Sequence, residues 1–200
     1  MRRIGLFGGS FNPIHKGHLH LIEGARECLS LDQVIVIPAC ASPFKQHQKA
    51  DVLPSHRLAM CRLATEELPY CQVDSFELEQ EGVSYTYHTA KHFRAQFPDA
   101  ELVLLVGSDM LLQFDRWYRW QEILQMVSLA VVSRENGDRE KLAEKCDLLL
   151  QYGKIYLCNV SAHTISSTKI RENLQNQKDV SCYLPEKVVQ YILNHRLYQL

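Results

Sequence analysis

Short runs of Ile, Val and Leu recur along this chain, separated by longer stretches with helical spacing. This alternation is the tightest constraint on the fold. Strands that are apolar throughout must be covered on both faces, and the segments between them are long enough to cross over a sheet, so the pattern specifies βαβ units around an open parallel sheet. Strands are predicted over residues 3–7, 33–38, 72–76, 102–106, 129–133 and 155–158, and helices over 17–29, 55–68, 87–97 and 117–125. At Pro54-Ser55 the serine oxygen is placed to cap a helix whose buried face carries Leu58, Cys61, Ala64 and Leu68. Two more helices open near Ser167 and Pro185, the latter with Val188, Val189 and Ile192 on its buried side. With 200 residues, 46% of them hydrophobic, the chain can build one sizeable core. The expectation is a single domain over 1–200, with the C-terminal helices from about 167 packed on the sheet.

A formal charge of -1 gives no overall basic field of the kind that attracts nucleic-acid backbones, so any basic site must be local. No run of about 18 apolar residues suggests a membrane span, and residues 1–7 lack the pattern of an export signal. The cytoplasm is the expected compartment, with neither nucleic acid nor membrane as partner. Seven cysteines lie at wide intervals without a CxxC pair. The expectation is that all seven are reduced, acting as small hydrophobes rather than as a disulfide framework or zinc site.

The first strand runs into Gly8-Gly9-Ser10-Phe11-Asn12-Pro13-Ile14-His15-Lys16-Gly17-His18, and a helical pattern begins at its end. Glycines at a strand-to-helix turn let backbone N–H groups approach an anion, and the helix aims its positive end at the same point. His15 and His18 can add two donors. The glycine spacing matches neither GxGxxG nor GxxxxGK[ST]. A catalytic zinc wants three protein ligands, and no Glu or Cys stands at helical spacing beside the two histidines, so phosphate is the better ligand and no metal is expected on protein side chains. His20, one turn on, reads as structural.

A second helix start lies about 150 residues further along, at Ile165-Ser166-Ser167-Thr168-Lys169-Ile170-Arg171. Its hydroxyls can cap the helix, while Lys169 and Arg171 place cations where the helix dipole disfavours them. A bound polyphosphate would reverse that penalty. For the serines alone, an ordinary cap explains as much.

Residues 8–18 resemble the HxGH signature of the nucleotidylyltransferase superfamily, and more closely the GGSFDPIHxGH form of bacterial nicotinate-nucleotide adenylyltransferases, with Asn12 in place of Asp. Residues 165–171 resemble that family's ISSTxxR signature at every specified position. The resemblance extends over nearly the whole chain and implies a Rossmann-like α/β fold of nucleotidylyltransferase type. It also implies transfer of AMP from ATP, with Mg²⁺, to nicotinate mononucleotide, without a covalent intermediate.

Residue by residue, the resemblance assigns His15, His18 and Arg171 to the reacting phosphates. Gly8, Gly9, Ser10, Phe11, Ile165, Ser167 and Thr168 go to the rest of ATP. Gly107 and Asp109 match a G-x-D segment that holds the adenosine ribose, although Asp109 also reads as a plain helix cap. Thr86, in a match to EGxSYT, falls on the mononucleotide side. Trp117 and Tyr118 match an FxRWxRW-like stretch whose first tryptophan lies on the nicotinate ring, where stacking is worth roughly 1 kcal/mol beyond burial. Trp120 reads as core. Arg134 matches an arginine after the fifth strand that meets the mononucleotide phosphate or ring. Lys45 matches a triphosphate lysine, but Phe44 stands where the family has histidine, and a solvated loop lysine is the plain alternative.

Phosphopantetheine and FMN adenylyltransferases are the nearest alternatives, and the EGxSYT and RWxRW segments count against both. No KMSKS-like loop supports a class I aminoacyl-tRNA synthetase. A nucleotide-binding regulator without turnover would not need the retained histidines, Lys45 and Arg171. The sequence leaves oligomeric state open and is compatible with a homo-oligomer.

Overall fold

A computed structural model describes residues 1–40, 52–80, 82–133, 139–160 and 165–199. Six strands, β1 (Arg3–Gly9), β2 (Gln33–Pro38), β3 (Cys71–Val73), β4 (Glu101–Gly107), β5 (Ser128–Ser133) and β6 (Ile155–Asn159), lie in one sheet in the order β3-β2-β1-β4-β5-β6. Every pairing is parallel. The expected open parallel sheet is therefore present. Its strand order reverses between β1 and β4, and in such sheets ligands bind in the crevice that opens there beyond the strands' C-terminal ends.

Alternate residues of the strands feed two cores, β3 only the first. Val34, Val36, Val103, Leu105, Ala130 and Val132 face one side. There they meet α1 (Lys16–Leu29), α2 (Pro54–Thr65), α8 (Ser167–Gln175) and α9 (Glu186–Asn194), which contribute Ile22, Met60, Ile170 and Ile192 among others. Ile35, Ile37, Leu102, Leu104, Leu129 and Val131 face the other side. They are covered there by α4 (Thr86–Gln96), α6 (Trp120–Met126) and α7 (Arg139–Leu150). Two short helices, α3 (Phe76–Glu79) and α5 (Ser108–Leu111), complete the set among the described residues.

Three local expectations need correction. β3 ends at Val73, because the Asp74 carboxylate accepts from the Phe76 N–H at 2.8 Å and turns the chain into α3. α2 begins at Pro54 after Leu53, with no side-chain cap from Ser55, and its buried face carries Arg57, Met60, Cys61, Ala64 and Thr65. The helix expected over 117–125 starts only at Trp120, because a 3-10 turn at Phe114–Arg116 and a left-handed Arg119 (φ 54°) precede it.

The cysteine expectation fails for two of the seven. Cys28 on α1 and Cys158 on β6 are joined as a disulfide, with Cα atoms 6.0 Å apart across 130 residues of sequence. Spacing along the chain carries no sign of this pair, because the α1–β6 packing alone creates it. Cys61, by contrast, is a buried free thiol that burial pushes up to about 12, which leaves it unreactive.

At the strands' N-terminal ends, opposite the crevice, Glu101 accepts from Arg3 Nε (2.9 Å), Ser128 Oγ (3.1 Å) and Tyr156 OH (2.7 Å), linking β4 to β1, β5 and β6. Burial would raise its carboxyl, but these hydrogen bonds outweigh that and hold it below the usual carboxylate range. A depressed folded value means stability present above the unfolded value of about 4.3 and lost as pH falls through the folded one. Glu101→Gln is expected to lose about 1–3 kcal/mol at pH 7, the scale of a hydrogen bond to a charged group. The gap between variant and parent should narrow below about pH 4. Thermal melts at pH 7 and pH 3 check this, and a gap independent of pH contradicts it.

Candidate active site

Beyond the ends of β1 and β4, two segments distant in sequence come together. Ser167 Oγ donates to the Pro13 carbonyl at 3.0 Å, a contact between residues 154 apart in sequence. Arg171 Nη1 donates to the Asn12 carbonyl at 2.9 Å. The start of α8 is thereby held against the loop that leads into α1, and the two glycine- and hydroxyl-rich motifs form one site.

In the first motif, His15 is 2% exposed, and its ring stacks on that of His18 with centroids 3.6 Å apart. The His15 backbone N–H donates to His18 Nδ1 at 3.2 Å, so the proton of the neutral His18 ring sits on Nε2. Gly17 makes the stack possible, since a Cβ there would stand 3.1 Å from His15 Nδ1. Phe11 packs edge-on to His18 at 5.1 Å and is buried, so its ring supports the histidine. Its φ of 43° is left-handed, a strain of about 1–2 kcal/mol for a residue with a Cβ. Gly8 and Gly9 end β1, and Ser10 follows them.

Ser166 rather than Ser167 caps α8, accepting from the Lys169 N–H at 3.2 Å. Ser167 is thus left to hold the first motif, and Thr168 is exposed beside it, its Oγ1 3.5 Å from Arg171 Nη2. Ile165 packs against the core at the same point. Lys169 leans outward to Glu172, so of the two cations in this motif Arg171 is the one turned toward the first.

Gly107 closes β4, and Asp109 lies exposed in the first turn of α5. A Cβ on Gly107 would fall 2.6 Å from Asp109 Oδ1, so the glycine gives the carboxylate its position over the strand end. No side-chain cap hydrogen bond accompanies this helix, so the plain capping reading of Asp109 does not describe it.

A third group lies at the start of α4. Thr86 is its first residue, and the Tyr85 ring next to it stands 5.1 Å from that of Tyr118, which is 50% exposed. Trp117 is half-buried with Phe114 at 4.9 Å, and Trp120 packs on Tyr152 at 4.7 Å. Thr86, Trp117 and Tyr118 therefore belong to two segments that meet in an aromatic surface. Lys45 and Arg134, and Glu81 of the third motif, lie outside the described residues.

Arg57 and Tyr198 carry no signal in the sequence that places them here. Arg57, 4% exposed on α2, donates to the Ser10 carbonyl at 2.7 Å, and Tyr198 OH donates to Asn12 Oδ1 at 2.6 Å. Ser84 Oγ accepts from the Cys40 N–H at 3.0 Å. A cation on a helix reads as solvated, and nothing local in the sequence marks it otherwise.

A nucleotide-type crevice with an HxGH turn at one strand end and a hydroxyl-rich helix start against it defines a nucleotidyltransferase. A family model described as cytidylyltransferase-like matches residues 6–173. A Neisseria meningitidis serogroup C protein whose name is probable nicotinate-nucleotide adenylyltransferase is 36% identical over 100% of both chains. A Clostridium botulinum (strain Kyoto / Type A2) protein of the same name is 38% identical, covering 97% of this chain and 98% of its own. This chain belongs to the nicotinate-nucleotide adenylyltransferase family. In fold it is similar to Plasmodium falciparum nicotinic acid mononucleotide adenylyltransferase complexed with NaAD, at TM-score 0.76 and 18% identity, covering 99% of this chain and 98% of that one.

Proposed function

We propose that the protein transfers AMP from ATP to nicotinate mononucleotide, releasing pyrophosphate and nicotinate adenine dinucleotide. The observation that carries this reading is the meeting of the two motifs, where Ser167 and Arg171 contact the Pro13 and Asn12 carbonyls beside the start of α1. Relatives of full length bearing that enzyme's name support it.

In this reading the triphosphate lies between the starts of α1 and α8, whose N-terminal ends both favour anions. His18 donates from Nε2 to the α-phosphate. His15 and Arg171 share the remaining phosphate charge with Ser167, Thr168 and the backbone at Ile165 and residues 8–11. Gly107 and Asp109 hold the ribose. The mononucleotide lies on the surface formed by Thr86, Trp117 and Tyr118, with Lys45 and Arg134 assigned by family resemblance.

A phosphate dianion is already a nucleophile, so no general base or covalent residue is required. Its oxygen attacks the α-phosphorus in line, the bond to the β-phosphate oxygen breaks, and pyrophosphate leaves with the electron pair. Alignment of two bound anions can lower a barrier by about 7–11 kcal/mol, and donors fixed at the developing charge supply more. Mg²⁺ enters as the ATP complex. Imidazoles and a guanidinium suit this hard cation poorly, so phosphate oxygens and water hold it in this reading.

Arg171→Ala tests the assignment of the α8 start. The KM for ATP is expected to rise roughly 10–100-fold, the scale of a lost hydrogen bond to a charged group, with the KM for the mononucleotide little changed. Steady-state kinetics with each substrate varied in turn check this. An unchanged KM for ATP with a raised KM for the mononucleotide puts the helix on the other substrate.

A further inference from the structure

A run of polar contacts joins the ATP side of the crevice to the mononucleotide side in the reading above, and none of its side chains figures in the reaction. It begins at the buried Arg57, whose Nη1 donates to the Ser10 carbonyl in the loop after β1 (2.7 Å). Arg57 Nη2 donates to the Cys40 carbonyl, just beyond β2, at 3.3 Å. On the other side of the same residue, the Cys40 N–H donates to Ser84 Oγ at 3.0 Å. The hydroxyl of Ser84, two residues before α4, favours the ionised form of Glu77 on α3, while burial raises that carboxyl above the usual carboxylate range. Thr89 Oγ1 donates to that carboxylate at 2.6 Å from the second turn of α4.

Directions along the chain are consistent from end to end. A cation that can only donate faces two carbonyls, an N–H faces a hydroxyl, and the Thr89 hydroxyl donates to the Glu77 carboxyl. Arg57 and Glu77 are 4% and 8% exposed. Each burial costs free energy that a surface residue would avoid, so both are held by what they hydrogen-bond. Those partners are the loops that carry the two half-sites.

We propose that Arg57, Ser84 and Glu77 are positioning residues that set the distance between the ATP and mononucleotide half-sites by holding Cys40 between them. The proposal rests on the AMP-transfer reading above. None of the three needs to touch a substrate. Their effect falls on the transfer step, because a misplacement of about 1 Å between reacting groups can cost about 10²-fold while each substrate still binds its own half.

Ser84→Ala removes one hydroxyl from a half-buried position and breaks the chain at its middle. Its kcat is expected to fall 10–100-fold (roughly the misplacement scale). The Kd of ATP alone and of nicotinate mononucleotide alone, by calorimetry, should each stay within about twofold of the parent. Arg57→Lys keeps the charge but loses the two-pronged contact, and its kcat should fall by a similar factor. The double variant should lose little beyond either single one, since both break the same chain. A Ser84→Ala kcat within about twofold of the parent overturns the proposal. So does a loss carried wholly by a weaker Kd, which would make Ser84 a binding contact, and so do multiplicative effects in the double variant. A parent protein that releases no pyrophosphate from these substrates overturns the underlying reading instead, and this inference falls with it.

Discussion

His18→Ala is expected to fold as the parent does and to lose about 10²–10³ in kcat, the usual result of removing one preorganised donor to transition-state charge. The expectation follows from the ring's setting. His18 Nδ1 is occupied by the His15 N–H at 3.2 Å, so its proton is fixed on Nε2, and the His15 stack and the edge of Phe11 hold the ring in place. Such a donor needs no rearrangement as negative charge builds on the α-phosphate and bridging oxygens. Circular dichroism and single-turnover rates separate folding from chemistry. A folded variant with kcat near the parent's contradicts the assigned role.

Nicotinate mononucleotide is expected to be used with a kcat/KM roughly 10² or more above that of nicotinamide mononucleotide, because a site that offers only donors leaves the amide NH₂ facing another donor. The start of α4 at Thr86 offers such donors, since the first N–H groups of a helix point out of its end. Beside it lie Tyr85 and the exposed Tyr118, with Trp117 half-buried on the same segment. These rings suit a flat pyridine. Arg134, outside the described residues, enters this expectation through family resemblance. Side-by-side kcat/KM values at saturating ATP and Mg²⁺ check it, and a preference for the amide contradicts it.

The central strands were legible because burial on both faces writes them as unbroken apolar runs, and their ends then fix the crevice. β3 is shorter than expected because the Asp74 carboxylate accepts from the Phe76 N–H and turns the chain just after Val73. Both motifs assigned to phosphate are readable as local features, each a helix start whose residue types carry their own chemistry, and the structure brings them together at Ser167–Pro13 and Arg171–Asn12. What was not legible depends on elements far apart in sequence. The α1–β6 packing brings Cys28 to Cys158, and a cation on α2 reaches the loop after β1 through Arg57. The late start of α6 depends on Arg119 in a left-handed conformation, for which its sequence gives no signal.

AMP transfer to nicotinate mononucleotide is tested by pyrophosphate release with Mg·ATP and, in turn, nicotinate mononucleotide, nicotinamide mononucleotide, FMN and phosphopantetheine, with the dinucleotide product identified by mass. The predicted result is one dinucleotide per pyrophosphate with nicotinate mononucleotide, far slower release with the amide, and none above background with the other two. Faster release with FMN or phosphopantetheine, or no release with any acceptor, would contradict it.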